Sequence, residues 1–165
     1  MTIPRLKKHP SHSSSLPQNL RGIFAGSGTL LNHPEMGPHL LSLAHKSKSK
    51  SKSISTAVDP SSITLLYLGT PSYDLPDKRL AQTSWYVERG CRVISLDVVE
   101  TAPATAYMQE CVEGADIILV SGGNTSFAMR RWRRLGLDGM MREAVARRGV
   151  VMAGGSAGAI CWWSG

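Results

Sequence analysis

Val150-Val151-Met152-Ala153-Gly154-Gly155-Ser156-Ala157-Gly158-Ala159-Ile160-Cys161-Trp162-Trp163 is the stretch on which the reading of this chain turns. A short apolar run rich in β-branched residues ends in two glycines and a serine. Small residues (Ala157, Gly158, Ala159) then lead into a second apolar segment. That order predicts a strand, a tight turn and a helix start, with a hydroxyl at the turn. Gly154-Gly155-Ser156-Ala157-Gly158 matches the G-x-S-x-G pattern of a nucleophile elbow. There the serine is pushed out of the chain path, and larger flanking side chains would collide. Amides at the helix start would face the same point and steady a developing oxyanion. The pattern suits a glycine-rich βα turn without chemistry equally well, and taken alone it leaves both readings open.

Upstream, apolar runs alternate with helical ones. Ile63 to Leu68 reads as a buried strand ending in Gly69-Thr70-Pro71, and Asp77 to Arg89 as a helix with Leu80, Ser84 and Val87 near helical spacing and Gly90 as its stop. Arg92 to Leu96 is the next strand. Pro103 starts a helix presenting Ala106, Met108, Cys111 and Val112, which Gly114 ends. Asp116 to Val120 is another buried strand, closing in Ser121-Gly122-Gly123-Asn124-Thr125. Helices follow over Ser126 to Leu135 and Leu137 to Arg148, separated near Gly136, and Gly149 ends the second. Fully apolar strands between helices predict an α/β fold with a mainly parallel sheet covered on both faces. In such sheets sites gather at the carboxyl ends of the strands, which puts Gly69-Thr70, Gly122-Gly123-Asn124 and Ser156 on one edge.

The front of the chain reads differently. Residues 1–19 are Ser-, Pro- and Lys-rich and are expected to form a disordered leader, so the domain is expected over 20–165. Leu20 to Thr29 reads as a short strand entering a Gly/Ser turn, with Gly26-Ser27-Gly28 taken as a turn rather than an anion cradle. His33 and His39, among prolines and Asn32, read as surface loop. The Lys-Ser repeat of a basic loop at about 45–60 is expected to be a solvated insertion rather than a polybasic contact.

At 165 residues with 42% hydrophobic content, one domain with a real core is expected. No apolar run approaches the roughly 20 residues that span a bilayer, so no membrane partner is expected. The net charge of +7 divides unevenly. Residues 1–60 hold eight Lys/Arg against Glu35 and Asp59, a balance of +6, and residues 61–165 hold eleven against ten acids, a balance of +1. The basicity therefore belongs to the front of the chain and signals no specific nucleic-acid partner for the domain. Cys91, Cys111 and Cys161 are widely spaced, without a CxxC, and are expected to be buried free thiols of a cytoplasmic protein, with no metal and no cofactor.

Two segments in this order, Asp116 to Thr125 and Gly149 to Trp162, with Trp132 and Leu135-Gly136-Leu137-Asp138 between them, resemble the dipeptidase E/cyanophycinase family of serine peptidases. The likeness is almost continuous over residues 116–163 and looser over 61–115. It implies a flavodoxin-like three-layer sandwich related to class I glutamine amidotransferases, with serine in place of their cysteine. By this matching Ser156 is the nucleophile of a serine-type exopeptidase acting on a small peptide. The amide of Ala157 and one from Gly122 or Gly123 then form the oxyanion hole. Asn124 and Thr125 match the family's Gly-Gly-Asn-Thr turn, where contact with substrate and capping of the next helix are both open for Asn124. Arg130, Arg131, Arg133 and Arg134 read as a solvated helix face, Trp132 as the anchor of that helix, and Cys161 as buried packing.

The resemblance also sets an expectation of loss. The family places a catalytic histidine downstream of its serine, whereas His9, His12, His33, His39 and His45 all precede residue 46. A serine hydroxyl needs a base within hydrogen-bond reach. A Ser–Lys arrangement would be a substitute, yet Lys78 is the single lysine after residue 60 and nothing in the sequence places it near Ser156. The fold is therefore expected to be truncated at the C-terminus. It would be either a fragment of a longer peptidase, which the intact elbow favours, or a chain that has lost catalysis and serves as a binding or interaction module. A homodimer is compatible with either.

Overall fold

Parallel pairing is set by chain connectivity here, because every strand is followed by helix. The computed structural model describes residues 20–48 and 58–164; the expected leader lies outside them. Five strands, β1 (Gly22–Ala25), β2 (Thr64–Leu68), β3 (Arg92–Ser95), β4 (Ile117–Val120) and β5 (Val151–Gly155), form one sheet in the order β1-β5-β4-β2-β3. All four pairings are parallel. The run β3-β2-β4-β5 follows the 2-1-3-4 order of flavodoxin-like sheets, and β1 fills the outer position beside β5. The helices are α1 (Gly28–Leu31), α2 (Gly37–Lys48), α3 (Pro76–Glu88), α4 (Thr105–Gly114), α5 (Thr125–Leu135), α6 (Leu137–Arg148) and α7 (Ala157–Cys161).

Strand side chains alternate between two cores, as the period of two requires. Leu66, Leu68, Ile118, Val120 and Met152 pack with Met108, Val112, Ala128, Trp132 and Met141 from α4, α5 and α6. Leu65, Tyr67, Ile117, Leu119, Val151 and Ala153 point the other way, into Leu31, Leu40, Leu41, Trp85 and Tyr86 from α1, α2 and α3. Helices thus cover both faces in three layers, which is why β4 is buried along its whole length and reads as an unbroken apolar run.

Hydrogen bonds lock the layers at the ends. Asn32 staples α1 to α3: its amide nitrogen donates to the Ala81 carbonyl at 3.1 Å and to Ser84 Oγ at 3.0 Å, and its Oδ1 accepts from the Trp85 amide at 2.9 Å. The Tyr86 hydroxyl donates to the buried Leu31 carbonyl at 2.5 Å. Arg131 clamps the loop after β3, with Nε donating to the Val98 carbonyl and a terminal nitrogen to the Thr101 carbonyl at 2.7 Å. Arg133 reaches the Ser164 carbonyl at 2.6 Å. Part of the arginine cluster expected as a solvated face is therefore structural, whereas Trp132 is the expected anchor, buried with its Nε1 donating to Thr70 Oγ1 at 3.0 Å.

Four expectations from the sequence need correction. Leu80 and Val87 lie on the exposed side of α3, which docks instead through Gln82, Thr83, Trp85 and Tyr86. The two aromatics bury more area than the aliphatic stripe, and Gly37 leaves room for the Trp85 ring. The helix after Pro103 begins at Thr105, and Ala106 is exposed. His39 is exposed but helical, not in a loop. The basic loop opens later than expected, because α2 runs on to Lys48 once Leu40, Leu41 and Ala44 have nucleated it. Residues 49–57 of that loop lie outside the described residues.

Asn32→Ala removes all three bonds of the α1–α3 staple. It is expected to lower stability by about 1–3 kcal/mol, with an unchanged denaturant slope, in urea unfolding.

Candidate active site

The carboxyl ends of β1, β2, β4 and β5 open onto one cavity of about 600 Å³. Its walls come from four successive turns: Gly26 to Thr29 after β1, Pro71 to Tyr73 after β2, Gly122 to Asn124 after β4, and Ser156 after β5. Lys78 and Gln82 of α3 complete it. The turns after β2 and β4 meet where the strand order reverses, the place at which open parallel sheets leave a crevice.

Ser156 follows β5 with φ 52° and ψ −120°, a conformation that L residues rarely adopt. Such strain costs on the order of 1–3 kcal/mol and persists only where the surroundings enforce it. Here they do. The Ser156 amide donates to the Ala25 carbonyl at 2.9 Å, tying the turn to β1. A Cβ on Gly155 would collide with the backbone of Ser27 and Gly28, and one on Gly158 with the carbonyl of Val120. Ser156 is exposed while Gly154, Gly155, Ala157 and Gly158 around it are buried. The strained turn thus lifts a single hydroxyl out of a close-packed backbone.

The second glycine turn lies against it. A Cβ on Gly122 would sit 3.6 Å from Ser156 Cβ and 3.3 Å from the Gly155 carbonyl. Gly123 has φ 137° and rides over the Pro71 carbonyl, which accepts the Asn124 amide at 2.7 Å. The amides of Gly123 and Ala157 donate to no protein acceptor among the described residues. Asn124 does two things at once. Its Oδ1 caps α5 by accepting from the Phe127 amide at 3.0 Å, and its amide nitrogen donates to the Tyr73 hydroxyl at 3.1 Å on the cavity wall. Thr125 does not line the cavity; its hydroxyl donates to the Ala157 carbonyl at 3.4 Å and ties α5 to α7. Cys161 is buried, as expected, and burial pushes its thiol up to about 11.

The lip beside Tyr73 is strained too. Tyr73 and Asp74 have φ 58° and 56° in succession. Asp74 holds the pair in place, its Oδ2 accepting from the amides of Val98 at 2.7 Å and Val99 at 2.8 Å. Tyr73 packs on Phe127 with ring centroids 5.0 Å apart. Burial raises the Asp74 carboxyl above the usual carboxylate range, against the lowering effect of those two amides.

Of the residues singled out from the sequence, Gly122, Gly123, Asn124 and Ser156 line the cavity together, while Ala157 is buried directly behind. The structure places what the sequence left unplaced: Lys78 lines the cavity that holds Ser156. It adds Ser27, Thr29, Tyr73 and Gln82. The first two follow a strand end, so the rule that raised Gly122 and Ser156 applied to them as well. Gly26-Ser27-Gly28 is not merely a turn, since Ser27 caps α1 and faces the site. Among the described residues no cluster of His, Cys, Asp and Glu could hold a metal ion, and no helix is long and apolar enough to cross a membrane.

The model of peptidase family S51 matches residues 77–164, just over half of the chain. An uncharacterized peptidase of Bacillus subtilis (strain 168), YgaJ, is 46% identical over 61 residues, which are 37% of this chain and 26% of that protein. Among solved structures, a peptidase from an acI-B1 actinobacterium superposes with a TM-score of 0.61 at 22% identity, over 82% of this chain and 53% of that one. A Listeria monocytogenes EGD-e protein named for peptidase E gives 0.56 at 19% identity, over 86% and 60%. At these identities the two structures are similar in fold. The chain spans little more than half of the length of either.

Two measurements probe this geometry. Gly155→Ala is expected to prevent the elbow from closing, seen as a loss of at least about 2 kcal/mol in urea unfolding. For Asp74 the folded-state carboxyl sits above its unfolded value. Its contribution to stability is therefore present at low pH and is lost as pH rises through the folded value. Asp74→Asn, which keeps an acceptor for both amides, is expected to flatten the thermal midpoint against pH just above the ordinary carboxylate range.

Proposed function

This chain belongs to peptidase family S51, and on that footing we propose that it carries the nucleophile and oxyanion-binding half of a serine-type peptidase acting on small peptides. The observation that supports this reading best is Ser156 itself: an exposed hydroxyl on a positive-φ residue, beside the Gly122 turn, in a cavity at the carboxyl edge of the sheet. In the reaction, Ser156 Oγ attacks the peptide carbonyl and gives its proton to a base. The tetrahedral oxyanion takes hydrogen bonds from the amides of Ala157 and Gly123. The C–N bond then breaks, the protonated amine leaves, and water cleaves the ester to return the hydroxyl. Each oxyanion donor contributes about 100- to 1,000-fold in rate.

The base is the part this reading has to find elsewhere. The described residues lining the cavity include no histidine and no carboxylate, and Lys78 is their only charged side chain. Its ammonium is more than half exposed and lies 3.4 Å from Asp77 Oδ2. That same observation favours the second reading, a peptide-binding module without turnover.

A neutral fluorophosphonate probe separates the two. The peptidase reading expects labelling of the folded chain at Ser156, abolished by Ser156→Ala. A folded chain that stays unlabelled while still binding peptides in this cavity supports the module.

A further inference from the structure

We infer that Tyr73 is a positioning residue for the Gly123 amide, acting through the side chain of Asn124; its part in catalysis rests on the oxyanion role proposed above. The turn after β4 needs such a hold. Gly122 and Gly123 have no side chains to fix their peptide planes, and Gly123 stands at φ 137°, where glycine has many neighbouring conformations open to it. A donor for developing charge is effective only when its direction is fixed beforehand.

What fixes it is the turn after β2. The Ser121 amide donates to the Leu68 carbonyl at 3.1 Å, and the buried hydroxyls of Ser72 and Ser121 share a hydrogen bond at 3.0 Å. Beyond the two glycines, the Asn124 amide donates to the Pro71 carbonyl at 2.7 Å, and Asn124 Nδ2 donates to the Tyr73 hydroxyl at 3.1 Å. The glycine pair is thus tied down on both sides by residues 68–73. Tyr73 makes the outermost of these bonds, half exposed at the rim of the cavity. Asn124 Oδ1 already serves the α5 cap, so the bond to Tyr73 fixes the other end of the same planar group.

The backbone at position 73 shows that the tyrosine is there for its side chain. Its φ of 58° and ψ of 32° suit glycine or asparagine, and a bulky residue in that conformation is an outlier. Three contacts hold it: the ring packs on Phe127, the hydroxyl meets Asn124, and the neighbouring Asp74 carboxylate accepts from the amides of Val98 and Val99. The loop that carries those amides is gripped from its other side by Arg131, which donates to the Val98 and Thr101 carbonyls. Arg131 belongs to α5, the helix that Asn124 caps. The bonds therefore close a ring from Asn124 through Tyr73, Asp74, the loop after β3 and Arg131, then back along α5. The glycine turn is anchored to that ring at Asn124.

Tyr73→Phe removes the hydroxyl and keeps the ring on Phe127. Backbone ¹⁵N relaxation of the full chain, with and without this substitution, reads the consequence without any turnover. The order parameter of the Gly123 amide is expected to fall from the rigid range near about 0.85 to below about 0.6, while that of Ala157 and the thermal midpoint change little. A Gly123 amide that stays rigid overturns the inference. So does a loss of order that reaches Ala157 as well, since Tyr73 then supports the fold in general and not this turn. Fluorophosphonate labelling tests the catalytic part. Where the unsubstituted chain labels at Ser156, Tyr73→Phe is expected to label about five- to tenfold more slowly, short of the loss from removing a donor outright. An unchanged labelling rate overturns the positioning role alone. Loosening of Gly123 in a chain that never labels removes the peptidase reading alone and upholds the grip of Tyr73 on the turn.

Discussion

Backbone packed on backbone, without side chains between, is the constraint from which the rest of this structure follows. At Gly155 the end of β5 lies against Ser27 and Gly28, and at Gly158 the first turn of α7 lies against the Val120 carbonyl. At Gly123 the turn after β4 lies over the Pro71 carbonyl. Each contact leaves no room for a methyl group. Four loops from four strands are thereby held to one another by main-chain atoms, whose positions cannot relax by rotamer change. The strain at Ser156 persists for the same reason: the hydrogen bond from its amide to the Ala25 carbonyl and the crowding at Gly155 leave the serine nowhere else to go.

A hydroxyl fixed in this way becomes a nucleophile only where a base is within reach. The amides of Gly123 and Ala157 donate to no protein acceptor among the described residues, and under the proposed reading they are the donors for developing charge, the interaction from which most of the rate in acyl transfer arises. The charges of the domain are mostly spent otherwise. Arg131, Arg133 and Arg148 satisfy carbonyls at loop and helix ends, and Arg142 and Arg147 pair with Asp138 and Glu143 along α6. Among the described residues, what remains at the cavity is Lys78, so the lining of a basic chain's site carries one cation there. Net charge counted from composition says little about the field a substrate meets.

The sheet was legible in the residue string because both of its faces are covered. Ile117 to Val120 and Leu65 to Leu68 had to be apolar throughout, and glycines at 136 and 149, both with positive φ, punctuate the helices where the periodicity stops. The docking face of α3 was not legible. Leu80 and Val87 form the stripe that periodicity selects, yet Trp85 and Tyr86 are held inward by Asn32, Leu31 and Gly37, more than forty positions away. Helix faces of weak amphipathicity are chosen by partners, and partners are tertiary facts.

The same division runs through the site. By itself the amino-acid sequence determined the α/β class, the strand-turn-helix around Ser156, and the glycine turn of Gly122-Gly123-Asn124, since each is a local pattern whose steric demand is written in its own residues. Only the tertiary structure decided that Ser27, Thr29, Lys78 and Gln82 stand around that serine, and that Thr125 faces away into the α5–α7 joint. Ser27 and Thr29 follow a strand end, but Lys78 and Gln82 carry no local signature, because a lysine or glutamine on an exposed-looking helix is chemically the same residue wherever the helix docks. The parallel stacking of β1, β5, β4 and β2 brings their carboxyl ends level, and that alignment turns four unremarkable loops into one cavity.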